Sequence, residues 1–175
     1  MSLLKFFLDH APVVSAFVAV LSLVFTASAL YIQRAHFRRS VRPIASIPVA
    51  DYEDRVGVML KNKGIGPLHV LQFQATDGKK TENNLISWMP KLPAGISWET
   101  FYEDLDGLWI QPGEKVIVLQ LAGDVDSPSF SQGRDLCRKA LAKLTISIEY
   151  EDIYEKRMPT SKRDLAWFGR HFENH

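Results

Sequence analysis

The sequence predicts a mainly β fold, a β-sandwich of about seven strands with one short helix, tethered to an N-terminal transmembrane helix. Three observations carry that expectation. Residues 11–33 hold no charged side chain, although Asp, Glu, Lys and Arg make up 23% of the chain. From Pro43 onward the text changes to short β-branched segments, alternately apolar and polar, divided by Gly, Pro, Asn and Asp. One stretch, 134–144, carries an apolar stripe at helical spacing.

Residues 1–10 come first, with Leu3, Leu4, Phe6, Phe7 and Leu8 crowded around Lys5. They read as an interfacial segment, either a short helix at the headgroup level or an extension of the span. Residues 11–33 follow as the transmembrane helix. More than about 20 apolar residues at 1.5 Å each cross a hydrocarbon core of about 30 Å, and a helix is the single-segment structure that satisfies its own backbone in lipid. Pro12 is expected in the first turn, where proline is tolerated. Ala27-Ser28-Ala29 imitates a signal-peptidase site, but the run exceeds the ~7–15 apolar residues of a signal peptide.

Arg34, Arg38, Arg39 and Arg42 follow at once and define a basic juxtamembrane connector over 34–42, the expected membrane-surface set. Ahead of the span stands only Lys5, offset by Asp9. The positive-inside rule therefore places the N-terminus outside and the C-terminal domain in the cytoplasm. The lone Cys137 cannot form an internal disulfide, which agrees with a reducing compartment.

The β-sandwich domain is expected over 43–160. "RPIASIPVA" (42–50) reads as an edge strand because two prolines interrupt it. "RVGVMLKN" (55–62) alternates cleanly. "LHVLQFQATDG" (68–78) alternates except at Leu71 and Phe73. "LISWMP" (85–90), Lys115–Leu121 after a Pro-Gly turn, and a hairpin with strands near 144–150 and 153–158 complete the set. Short strands with regular turn signals are the pattern of an immunoglobulin-like sandwich. The helix over 134–144 places Leu136, Cys137, Ala140, Leu141 and Leu144 on one side. Residues 161–175, with Leu165, Trp167, Phe168 and Phe172, read as a C-terminal amphipathic tail that either docks on the domain or lies on the inner leaflet.

Function is read from what chemistry the chain carries. Ser15, Ala19, Ser22, Thr26, Ala29 and Gln33 recur at steps of four and three, so they form one face of the membrane helix. In lipid, helices associate through small residues that permit close approach and through hydroxyl hydrogen bonds. This face is the expected packing surface for another copy or for another membrane protein. A pore lined by Ser15, Ser22 and Thr26 is the weaker reading, because no charged ring accompanies them.

"NKGIGP" (62–67) has glycines but no following helix, so it reads as a turn with positive φ rather than a phosphate loop. "DLDG" and "DVDS" lack the remaining ligands of a calcium loop. The five histidines show no metal-ligand pattern, and no nucleophile elbow or acid pair stands out. We therefore expect no catalytic, cofactor-binding or metal-binding residue, and no enzyme activity. From Pro43 onward 19 acidic residues outnumber 16 basic ones, a poor footprint for nucleic acid. Trp98, Phe101, Tyr102 and Trp109 lie among acidic residues and form the candidate interaction surface.

The "RRSVRP" exit, "NKGIGPLHV" and the closing "ISIEYEDIYEKR" resemble the plan of small single-span bacterial membrane proteins of unassigned function with a cytoplasmic immunoglobulin-like domain. The resemblance implies the bacterial inner membrane as the location and carries no site residue with it. The expected function is non-enzymatic: a membrane-anchored interaction or assembly protein. The alternative is a ligand-gated membrane effector, phage-defence-like in layout, whose domain would take a small molecule and whose spans would oligomerise to perturb the membrane.

Overall fold

The structure is a computed structural model that describes residues 3–172; the side chains of residues 3–10, 38, 39 and 171 fall outside that description. The chain forms two compact units, residues 1–40 and 41–175. Parts of two expected segments, residues 1–2 at the N-terminus and 173–175 of the tail, lie outside the described residues, as does the His171–His175 pair at the level of side chains.

The first unit is one helix, α1 (Leu3–Ser40). Its stretch Ala11–Phe37 is 27 residues long with a mean hydropathy of 2.3, and no residue of its apolar window is buried. At 1.5 Å per residue it spans about 40 Å, more than the ~30 Å of a hydrocarbon core. The helix is continuous from Leu3, so residues 3–10 extend it rather than forming a separate element. Pro12 consequently lies inside the helix, not in its first turn. It has no N–H for the carbonyl one turn back, so that rung of the ladder is absent. The connector expected over 34–42 is helical as far as Ser40. The helix stops before Pro43, whose ring disfavours helical conformation at the residue preceding it.

The second unit is mainly β. Its strands are β1 (Ala45–Ser46), β2 (Val49–Asp51), β3 (Arg55–Asn62), β4 (Leu68–Thr76), β5 (Thr81–Glu82), β6 (Thr100–Phe101), β7 (Trp109–Ile110), β8 (Lys115–Ala122), β9 (Thr145–Glu151) and β10 (Ser161–Asp164). They form two antiparallel sheets. One has the order β1-β3-β8-β6, with β2 also on β3; the other has the order β10-β9-β4-β5, with β7 also on β4. About seven strands were expected and ten form among the described residues, four of them only two residues long. Such short pairings leave no periodicity to detect. The segment 42–50 divides into β1 and β2 around Pro48, which has no donor for the ladder.

The inner faces follow the alternation of the sequence. Val56, Val58 and Leu60 of β3 meet Val70, Phe73 and Ala75 of β4, Leu119 and Leu121 of β8, and Ile146, Ile148 and Tyr150 of β9 in one buried cluster. The broken alternation of β4 has a specific cause. The β4–β9 register shifts between Val70 and Gln72, so an extra residue at Leu71 turns Phe73 inward.

Three expected elements change. Residues 85–90 are not a strand: a 3-10 turn occupies Ile86–Trp88, with the Asn84 side chain accepting from Ser87 N–H at 3.0 Å. The helix expected over 134–144 is α2 (Pro128–Leu141), which starts earlier because Ser127 caps it and Pro128 opens it. The return strand is not 153–158. Asp152 Oδ1 accepts from Tyr154 and Lys156 N–H at 2.8 and 3.0 Å and holds a turn, and Glu155 adopts a φ of 58°. A single antiparallel bridge joins Arg157 to Glu151 and Met158 N–H donates to the Tyr150 carbonyl at 2.9 Å, but a continuous return strand forms only at β10, where Ser161 faces Ile148. The expected tail therefore enters the domain: β10 is a sheet strand, and Leu165 and Phe168 are fully buried.

Strand directions give the domain two distinct ends. At one end β3 and β9 finish while β4, β8 and β10 begin; Lys61 pairs Lys115, and His69 pairs both Glu151 and Trp109. Loops 41–44, 63–67, 111–114 and 152–160 gather there. Loops 52–54, 77–80 and 123–127 lie at the other end. Buried Asn62 ties the first end together. Its Nδ2 donates to the Gly66 and Ile110 carbonyls at 2.7 and 3.1 Å, and its Oδ1 accepts from Gly64 and Ile44 N–H at 2.9 and 3.3 Å.

Candidate functional site

On α1, Ser15, Ala19, Ser22, Thr26, Ala29 and Gln33 are all exposed on the helix surface. Two of the hydroxyls have local partners. Ser22 Oγ donates to the Val18 carbonyl and Thr26 Oγ1 to the Ser22 carbonyl, each at 2.8 Å. Such back-bonding satisfies the donor within the helix, so at these residues the face offers small size rather than unmet hydrogen bonds. Arg34 and Arg42 are exposed, and Arg38 and Arg39 lie on the helical turn between them.

The four aromatic residues expected to form one surface divide between the sheets. Phe101 lies on β6, opposite Leu119, and is exposed. Trp98 and Tyr102, on either side of it, are half-buried against the core. Trp109 lies on β7 in the other sheet and is 47% exposed. Its indole stacks on the His69 imidazole with centroids 4.3 Å apart and planes at 7°. His69 Nδ1 sits 2.9 Å from Glu151 Oε1 on the neighbouring strand. The row Trp109–His69–Glu151 thus crosses three strands and fixes an exposed indole. The pairing of His69 with an acid 82 positions away has no local signal in the sequence.

A second constellation was also hidden from sequence. The Asp51 carboxylate is fully buried; its Oδ1 receives Arg138 at 2.6 and 2.8 Å and its Oδ2 receives Arg170 at 2.7 Å. Arg138 also reaches Asp135 at 2.9 Å. One carboxylate therefore joins β2, α2 and the C-terminal segment. Beside it opens a groove of about 950 Å³ lined by Asp51, Tyr52, Arg55, Val125, Arg134 and Arg138, together with Glu53 and Asp54. Arg55 pairs with Asp54 at 2.6 Å, a hydrogen bond that holds the Asp54 carboxyl below the usual carboxylate range. Arg134 donates to the Glu53 carbonyl, while its buried Nε has no partner among the described residues.

Cys137 is fully buried on α2, and burial pushes its thiol up to about 12. It is a packing residue in this state, since the thiolate is the reactive species. Among the described residues no group of three His, Cys, Asp or Glu side chains stands close enough to hold a metal ion.

No protein-family model matches the chain, and no curated protein matches it in sequence. The case for function rests on the residues themselves.

Proposed function

We propose that the chain is a non-enzymatic, single-pass membrane protein that assembles through its helix and presents an immunoglobulin-like β-sandwich as a docking domain. The observation that supports this most is the stretch Ala11–Phe37, 27 residues of high hydropathy with nothing in its apolar window buried. An apolar surface of that length is costly in water and neutral in lipid. In this reading Ser15, Ala19, Ser22, Thr26, Ala29 and Gln33 pack against another copy or another membrane protein, and Arg34, Arg38, Arg39 and Arg42 hold the C-terminal domain on the cytoplasmic side of a bacterial inner membrane. Ala19→Leu with Ser22→Leu fills the face with branched side chains. The expected outcome is loss of crosslinked oligomers in membranes; crosslinking unchanged from the wild type overturns the packing face.

One observation favours the ligand-gated effector as a second reading. The groove beside Asp51 has the volume of a small-molecule site, and Arg134 has no carboxylate partner among the described residues. An effector forms oligomers only on a trigger and depolarises the membrane; an assembly protein forms them constitutively and leaves the potential intact.

A further inference from the structure

We propose that the end of the domain carrying loops 41–44, 63–67 and 152–160 is a lipid-contact surface that lies on the anionic headgroups of the membrane. The proposal rests on the reading of α1 as a membrane anchor and adds a second, peripheral contact to it. Val41 begins the domain at this end, one residue after α1 finishes at Ser40. A domain tethered there meets the bilayer surface at a high effective concentration, so even a weak surface affinity is realised.

The chemistry of the end suits that surface. Its loop tips expose Ile65 (70%), Ile153 (52%) and Tyr154 (52%), and Trp109 stands beside them. Isolated exposed apolar residues are ordinary, but these four sit at one end, and two are the amphipathic aromatics that favour the headgroup level. The indole of Trp109 is already held by its stack on His69, so insertion would cost little side-chain entropy. Arg42, Lys63, Lys156 and Arg157 surround these residues and are exposed. Glu114, Glu149 and Glu155 are the exposed acids among them; the Glu114 carboxylate accepts from Gln111 N–H at 2.8 Å, and Glu149 lies 4.0 Å from the Arg157 guanidinium. Basic residues near an anionic leaflet attract it by about 1 kcal/mol each, roughly fivefold in affinity. The opposite end also exposes Tyr52 and Val125, but its loops carry Glu53, Asp54, Asp77, Asp124 and Asp126 against Lys79 and Lys80, so acids outnumber bases there. An anionic surface would repel it.

The test uses the full chain in nanodiscs of phosphatidylcholine with or without phosphatidylserine, carrying a lipid-borne fluorescence quencher. Ile153→Cys places a fluorophore at the proposed surface and Val125→Cys places one at the opposite end; native Cys137 is buried and stays unlabelled. Ile65→Cys serves as a second site on the same end. Fluorescence at 153 and 65 is expected to be quenched in phosphatidylserine discs, with little loss at 125. Lys156→Gln with Arg157→Gln should weaken the surface affinity behind that quenching by about fivefold per charge, and so reduce the quenching. Quenching at 153 and 65 no greater than at 125 overturns the proposal, including the case in which a protein partner covers these loops. Failure of the anchor reading is separate and visible: the chain would then not enter nanodiscs at all.

Discussion

At Asp51 a single carboxylate, fully out of water, bridges two guanidinium groups. Burying an unpaired charge is expensive, so each of the three groups holds the others in place. Cys137, the next residue before Arg138, shows the opposite solution: it stays neutral. Burial is the largest influence on it and raises its thiol from 9.0 to about 12, against a smaller lowering by Arg138. A folded-state value above the unfolded one means that its contribution to stability is complete below pH 9 and is lost as pH rises toward about 12. Cys137→Ala should therefore be less stable than the wild type at neutral pH by about 1 kcal/mol, and the difference should shrink with rising pH over that window. Thermal melts of both proteins in detergent across the window check this. A constant difference would mean that the thiol does not titrate between the two states. Neither Asp51 nor its partners could be paired from sequence, because Arg138 is 87 positions away. The burial of Cys137 was legible, since its helix has a local apolar stripe.

Among the elements, the turn between β3 and β4 shows how a correct expectation can have the wrong cause. "NKGIGP" is a turn, but neither Gly64 nor Gly66 has a positive φ. Their glycines are required by close approach: a Cβ at Gly64 would meet the backbone of Arg42, Pro43 and Ile44, and one at Gly66 would overlap the Val41 carbonyl. The turn is thus clamped onto the start of the domain, with Asn62 bonding across it. Gly66→Ala should destabilise the domain by about 2–3 kcal/mol, as overpacking does. Gly78→Ala has open space at Cβ but a φ of 87°, and should cost about 1 kcal/mol. Equal melting shifts for the two variants would remove the close-approach argument. Elements whose information is local were read correctly: the apolar helix by composition, β3 and β8 by alternation. Elements that depend on distant partners were not. The two-residue strands exist only because a longer strand offers them an edge, and α2 starts at a Ser-Pro cap that resembles loop text.

For the whole molecule, the decisive discrepancy is the C-terminal segment, read from sequence as a tail and folded as part of the domain. Its apolar residues fit both an amphipathic surface helix and a buried edge, and only the sheet register distinguishes them. Four consecutive pairs, from Ser161 with Ile148 to Asp164 with Thr145, make β10 the edge of its sheet. Arg163 Nη1 donates to the Ile47 carbonyl at 2.9 Å and Ser161 Oγ to the Ala45 carbonyl at 3.3 Å, so this edge also closes onto the other sheet. Leu165 and Phe168 then complete the core, and Arg170 reaches Asp51. Burial of two such side chains is worth about 1.5–3 kcal/mol each, against a total stability of about 5–15 kcal/mol for a domain. Removing 161–175 also takes the Arg170 guanidinium away from the buried Asp51 carboxylate. A chain ending at Thr160 should therefore keep α1, which under the proposed function still anchors it, but carry an unfolded domain, cut by protease within the β4 and β9 segments. A chain ending at Phe172 should resist protease as the full chain does. If the form ending at Thr160 kept the full-length melting transition and protease resistance, β10 and the residues after it would be an attachment rather than a structural part of the fold.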